Sequence, residues 1–363
     1  MIVNGKHLGK REYSLLGDDG RQAVEMGLAA AERYHADISR KETKILTHRS
    51  DSPTLRDNLL WIGSMILFAG AGSYLWPSIW SAPFWLAYGV LYGSASESRW
   101  HECGHGTAVK TDWISVVVYQ IACFMIMRNP TTWRWSHARH RTDAIIMGRD
   151  LEIAVMRPPD SFRPGMNFFG LFDAWSAMKL MLLNARGELS PEEAICIPKE
   201  EAGKVYAAAR IWVAIYLAAI ASAVWYSSLL PLMIVGLPRL YGAWRHILAG
   251  ALQHGGLADK VLDRRLNARK VCMNPISRFI YLKMNYRVEQ HMLPMVSCNA
   301  LPRLQKMIAR DLPAPNTSMW RAFAEAWPIA RRQLRYDDVY PERNPVPTAK
   351  PCRPHLNDLA APA

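Results

Sequence analysis

Four segments carry histidines at spacings that suit a metal ion: His101-Glu-Cys-Gly-His105, His137-Ala-Arg-His140, the lone His254, and His291 within Asn285-Tyr-Arg-Val-Glu-Gln-His-Met-Leu-Pro294. An i,i+4 pair and an i,i+3 pair each set two imidazoles on one helix face, which is what a first-row metal takes from a helix. Seven of the eleven histidines lie between residues 101 and 291, and among those seven only His246 falls outside these boxes. His101, His105, His137, His140, His254 and His291 are therefore the candidate metal ligands. Taken alone, the first box also matches the H-E-x-x-H pattern of zinc metalloproteases, with Glu102 as the general base. The further clustered histidines argue against that reading, because a mononuclear zinc site needs only one more ligand.

The boxes sit just outside long uncharged stretches. No Asp, Glu, Lys or Arg occurs over the 39 residues from Asn58 to Ser96 or the 28 from Ile211 to Pro238. About 20 apolar residues span a bilayer, so each run is long enough for the core of a helical hairpin. The first hairpin is expected at Leu59 to Trp76 and Pro83 to Ala95, the second at Ile211 to Ser227 and Leu229 to Leu248. A soluble core rarely needs so long a stretch without a charge. Trp76, Trp80 and Trp85 flank the first turn, as aromatic residues do at a membrane interface. The expected fold is an all-α integral membrane protein of two transmembrane hairpins, four spans in all, with a cytoplasmic helical cap carrying the histidine boxes.

Both far turns lack Lys and Arg, so the positive-inside rule places the termini and the boxes on the cytoplasmic side of the cell (inner) membrane. The net charge of +13 then fits a surface facing anionic lipid, and no basic aromatic motif points to nucleic acid. Residues 1–57 are expected to form a cytoplasmic arm with one helix around Arg21 to Arg40, residues 58–340 the membrane domain, and residues 341–363 a disordered tail rich in Pro and Ala. Trp113 to Met127 is short for a span and predicts an interfacial or re-entrant helix. Phe168 to Leu183 reads similarly, or as a buried helix. The six cysteines form no CxxC pair and no secretory signal opens the chain, so free cytoplasmic thiols are expected.

Several residues near the boxes admit plainer roles. His254 alone at a helix end could be an interfacial polar residue, and His246 suits a hydrogen bond inside the last hairpin. His7, His35, His48 and His355 read as solvated surface. Trp133 and Trp135 could line a substrate path or pack at the interface. Arg149, Asp150 and Glu152 could orient the box residues or form a surface ion pair.

Taken together and in order, the boxes resemble those of the membrane fatty acid desaturase superfamily, which carries HxxxH, HxxHH, a histidine near the end of the last membrane hairpin, and a final HxxHH. The resemblance runs from about Pro53 to Leu334. It rests on Arg99-Trp-His-Glu-Cys-Gly-His-Gly-Thr107, Trp133-Arg-Trp-Ser-His-Ala-Arg-His140, Gly148-Arg-Asp-Leu-Glu-Ile153, Gln253-His-Gly-Gly-Leu257 and the box around His291. Within the superfamily the chain is similar to bacterial members linked to small polar substrates, such as rhizopine oxygenases and dihydrorhizobitoxine desaturases.

The resemblance implies two irons held by imidazoles, which activate dioxygen so that an unactivated C–H bond can be cleaved. Loss of a second hydrogen gives an alkene; oxygen insertion gives an alcohol. The substrate would be a fatty acyl chain or a small amino-acid-derived or sugar-derived metabolite. Electrons would come from a ferredoxin-type protein and its reductase, because no flavin, nicotinamide or iron–sulfur fingerprint is present.

The chain departs from the family pattern at Arg141, Arg287 and Gln290, where the pattern has histidine. A guanidinium stays protonated and offers no lone pair, whereas glutamine could bind weakly through its carbonyl oxygen. Three readings remain open. The carboxylates Glu102, Asp143 and Glu289 could complete a rearranged diiron site, the chain could hold one metal, or it could be an inactive homologue serving as scaffold or regulator.

Overall fold

The computed structural model describes residues 14–18, 21, 24–25, 37–143, 148–150, 152, 168–257, 264–336, 339 and 341, with only the backbone of 141–143 and 264. The expected helix around Arg21 to Arg40 lies largely outside these residues, as do the expected tail beyond Pro341 and the side chain of Asp143. The described residues are helical and contain no strand.

The first uncharged run folds as a hairpin. Helix α1 (Asp51–Tyr74) leads into a turn and then α2 (Ala82–Gly89), which opens on Pro83, a residue suited to a first helical turn. The chain stays helical through a π-helical turn, Val90–Ala95, and into α3 (Ser96–Gly104), which carries the first histidine box. Such wide turns insert a residue into a helix and occur often beside functional sites. Trp85 is only 3% exposed and its indole fills the space beside Gly72, so it locks the hairpin together. Trp80, at the turn, is 73% exposed, so the interfacial role expected for the tryptophans suits Trp80 and not Trp85.

Asp51 pins the start of α1 to the chain just past the first box. Its carboxylate accepts from the backbone N–H groups of Lys110 and Thr111 at 2.7 and 2.9 Å and from the Thr111 hydroxyl at 2.7 Å. Helix α4 (Asp112–Ile126) packs along α3, and Ser115 donates to the Cys103 carbonyl at 3.0 Å. Helix α5 (Pro130–Asp143) follows with the second box. Because α5 returns beside α3, the apolar α4 does not separate the two boxes. Helix α6 (Leu171–Ala185) lies along α7 (Ala202–Trp225).

The stretch Lys199–Trp225 is the one helix among the described residues that is both long and apolar enough to cross a membrane, and only 22% of its apolar window is buried. The return arm differs from the expected unbroken span over Leu229 to Leu248. It breaks into α8 (Leu230–Ile234), α9 (Leu237–Tyr241) and α10 (Trp244–His254). Pro231 and Pro238 each start a helix, and Gly236 takes a φ of 96° that favours glycine.

The broken arm permits a close crossing. A Cβ at Gly242 would lie 1.7 Å from the Gly89 carbonyl oxygen, and one at Gly93 would lie 2.8 Å from the Gly242 carbonyl carbon. Ser94 sits in this contact. Its hydroxyl donates to the Gly242 carbonyl at 2.6 Å and accepts from the His246 N–H at 3.0 Å. The crossing thus sets α10 against the helix that bears His101. Helix α11 (Arg287–Met292) carries the last box, and α12 (Met319–Gln333) packs against α10.

Candidate metal centre

The i,i+4 spacing of α3 stacks His101 and His105 on one face, with their Nε2 atoms 3.0 Å apart. From α5, His137 brings its Nε2 to 3.2 Å from that of His105. The donor atoms of these three residues all lie within 4.8 Å of one another. Metal–nitrogen bonds of about 2.0–2.1 Å at tetrahedral or octahedral angles set neighbouring donors about 2.9–3.4 Å apart. The His101–His105 and His105–His137 separations fall in that range, while the 4.8 Å that bounds the whole trio lies beyond it.

The outward nitrogens of the imidazoles are held by acceptors, which decides what faces inward. His137 Nδ1 lies 2.9 Å from Glu152 Oε2, and His140 Nδ1 lies 2.9 Å from Asp150 Oδ2. His254 Nδ1 lies 2.7 Å from the Asn267 carbonyl oxygen. Carboxylates and carbonyls only accept, so each of these Nδ1 atoms carries the proton and a neutral ring turns a bare Nε2 inward. The Nε2 atoms of His140 and His254 are buried without a hydrogen-bond partner. Asp150 and Glu152 therefore act as orienting groups for the second box.

His101 Nε2 lies 2.7 Å from Arg287 Nη1, which can only donate, so this nitrogen is bare as well. His105 Nε2 then faces two bare nitrogens with at most one proton to offer. His105 can donate to His137 while Arg287 donates to His101, so a cation bound by all three lone pairs must displace Arg287 from His101. The residues fit one metal ion.

The electrostatics agree. Burial holds the His101 imidazole well below its ordinary range, and the neighbouring Arg287 adds to the shift. Burial and Arg287 together bring His254 down to about 3. Burial also lowers His137, against the pull of Glu152. Burial works to raise the Glu152 carboxyl, but His137 and His140 outweigh it and bring it down to about 2. His140 runs the other way: burial lowers it, but Asp150 and Glu152 outweigh burial and raise it. Neutral imidazoles beside an ionised carboxylate, as at His137 and Glu152, are the protonation states that metal binding needs.

A second set is looser. His291 lies 5.6 Å from His140 and 5.9 Å from His254 between ring centroids, whereas the first trio spans 4.6 to 4.8 Å. Of the carboxylates expected to complete a diiron site, Glu102 and Glu289 each have a protein partner, while Glu102 Oε2 is buried without a hydrogen bond. Glu102 accepts from the Gln290 amide, and burial pushes its carboxyl up to about 7. Glu289 pairs with Lys270 at 3.4 Å. Asp143 lies outside the described side chains.

Sequence reasoning placed the six histidines in one site but missed three features. The proximity of Arg287 to His101, the Gln290–Glu102 pair and the Asn267 carbonyl behind His254 all arise between segments distant in sequence. Gly104 could have been found: a Cβ there would lie 1.9 Å from the ring of Trp133, which stacks on His137 at 4.2 Å. Trp133 is 3% exposed, so it packs the site and does not line an open path. His246 stands apart, with its Nε2 3.4 Å from Glu97 Oε1.

No curated protein matches the chain in sequence. The family model for fatty acid desaturases matches residues 74–323. That span includes all four histidine boxes and most of the 363-residue chain, which belongs to the fatty acid desaturase family.

Proposed function

We propose that this chain is a membrane-bound, iron-dependent oxidoreductase that uses dioxygen to desaturate or hydroxylate an acyl chain or a small amino-acid-derived or sugar-derived metabolite. Membership of the family implies an oxidoreductase. The observation that carries the iron reading is the trio His101, His105 and His137, whose donor atoms converge at metal spacing with Glu152 fixing one ring from behind. On the family's two-iron pattern, His140, His254 and His291 would complete the ligand set. Iron so held supplies the activation of dioxygen; the chain's own residues position it, keep the imidazoles neutral and exclude water. Electrons come from a ferredoxin-type donor with its reductase.

The membrane reading rests on the uncharged runs and on apolar side chains turned outward. Leu59, Leu60, Ile66 and Leu67 on α1 are exposed, as are Ile211, Leu217, Ile220 and Val224 on α7. A belt of this kind suits lipid better than water. We place four passages of the bilayer, with the boxes and both termini in the cytoplasm, residues 1–57 as an arm and 58–340 as the membrane domain.

The test is turnover in membranes supplied with a ferredoxin, its reductase and candidate acyl or small polar substrates under ¹⁸O₂. Desaturation gives a product lighter by two hydrogens with no label, and hydroxylation gives a product carrying one ¹⁸O. Iron-loaded, folded protein that forms neither product and consumes no dioxygen contradicts the proposal, as does stoichiometric zinc in place of iron.

A further inference from the structure

We infer that the centre holds a single metal ion, at His101, His105 and His137, with Arg287 setting a fixed guanidinium beside His101 at the position where the family pattern has a further histidine. This rests on the proposed metal-dependent function and departs from the two-iron expectation.

Three observations carry it. First, only one trio is gathered. A ring bound at about 2.0–2.1 Å places its centroid roughly 3.2 Å from the metal, so two rings at tetrahedral or octahedral angles lie about 4.5–5.2 Å apart. The centroids of His101, His105 and His137 are 4.6 to 4.8 Å apart. His291 is 5.6 and 5.9 Å from its two neighbours, and no second group of three donors among the described residues converges as the first does.

Second, Arg287 is a fixed cation at this site. It is 6% exposed, and its Nη1 lies against His101 Nε2 at 2.7 Å. An arginine there keeps its charge and offers no lone pair. Two divalent ions beside it would concentrate like charge around the two carboxylates that back the histidines, Asp150 and Glu152. One ion does so far less, and only requires Arg287 to turn its Nη1 off the His101 lone pair.

Third, the two described candidate carboxylates, Glu102 and Glu289, each already have a protein partner, Gln290 and Lys270, although Glu102 Oε2 accepts no hydrogen bond. The inward nitrogens of His140 and His254 are buried without a hydrogen-bond partner.

The experiment is anaerobic Fe(II) loading of detergent-purified protein, with metal content and ⁵⁷Fe Mössbauer spectra read together. The unmodified protein is expected to take one iron per chain, with the spectrum of an isolated ion. His137→Ala should abolish the binding, and His254→Ala should leave it at one. Arg287→His, which removes the cation and adds an imidazole, should raise uptake towards two. Two irons in the unmodified protein overturn the inference while leaving the proposed function standing. Loss of iron in His254→Ala with retention in His137→Ala overturns it as well. An Arg287→His protein that stays at one overturns the role given to the guanidinium. Folded protein that binds no metal overturns both proposals, whereas one tightly held zinc with no iron keeps the site and removes the oxidoreductase. The spectrum of the unmodified protein needs no variant to fold.

Discussion

Glu152 and Asp150 decide which nitrogen each second-box imidazole turns inward, although neither is itself a candidate ligand. Glu152 stands behind His137, in the trio; Asp150 stands behind His140, outside it. Removing a carboxylate that orients a metal-binding histidine costs about 10–100-fold in metal affinity. Glu152→Ala should therefore weaken iron binding by about that factor, read by competition with a chelator, while Asp150→Ala leaves the affinity close to unchanged. Equal losses would mean that both histidines hold the ion. At this scale the histidine pairs were legible, because helix periodicity alone brings i and i+4 together. Arg287 was legible as a non-ligand but not as a neighbour of His101, since the two are 186 residues apart. Gly104 was legible in principle: a glycine inside a helical metal box asks for something bulky to pass, and Trp133 does.

Among the elements, the crossing of the broken α8–α10 arm over the π turn sets one box against another. Gly242 has no room for a Cβ, since the obstacle at 1.7 Å is backbone carbonyl and not a movable side chain. Overpacking a tight contact usually costs about 1–3 kcal/mol. Gly242→Ala should lose at least that much stability, seen as a lower Tm in detergent. An unchanged Tm would show that the crossing is looser than described. The two uncharged runs announced where α1 and α7 end but not where they start, since Asp51 and Ala202 begin these helices more than two turns before the expected Leu59 and Ile211. The break in the return arm was written in Pro231, Gly236 and Pro238, but hydropathy averages over such residues and reads the arm as continuous. The π turn has no comparable signal, because it depends on how Gly89 and Gly93 meet Gly242.

For the molecule as a whole, the proposed topology puts the boxes on one side of a bilayer and the turn around Trp80 on the other. Lys110 and Met295 are exposed near the first and last boxes, and Trp80 is exposed at the turn. In a protein with Cys196, Cys272 and Cys352 changed to serine, Trp80→Cys should react with an impermeant thiol reagent in intact spheroplasts. Lys110→Cys and Met295→Cys should react only after the membrane is opened. Labelling of either box position in intact spheroplasts would reverse or break the topology. Here the charge pattern was the legible part. It separated a charged face from an uncharged one, and the outward apolar residues of α1 and α7 now give that separation a surface.

The central claim is that the gathered histidines hold an iron that reacts with dioxygen. The most direct measurement loads the protein with ⁵⁷Fe(II) without oxygen, then admits O₂ and follows the iron by Mössbauer spectroscopy. The account predicts a ferrous signal with nitrogen-rich coordination that is oxidised when O₂ enters, and that is absent from His105→Ala. Iron that stays ferrous in air, or that binds equally well without His105, would contradict it.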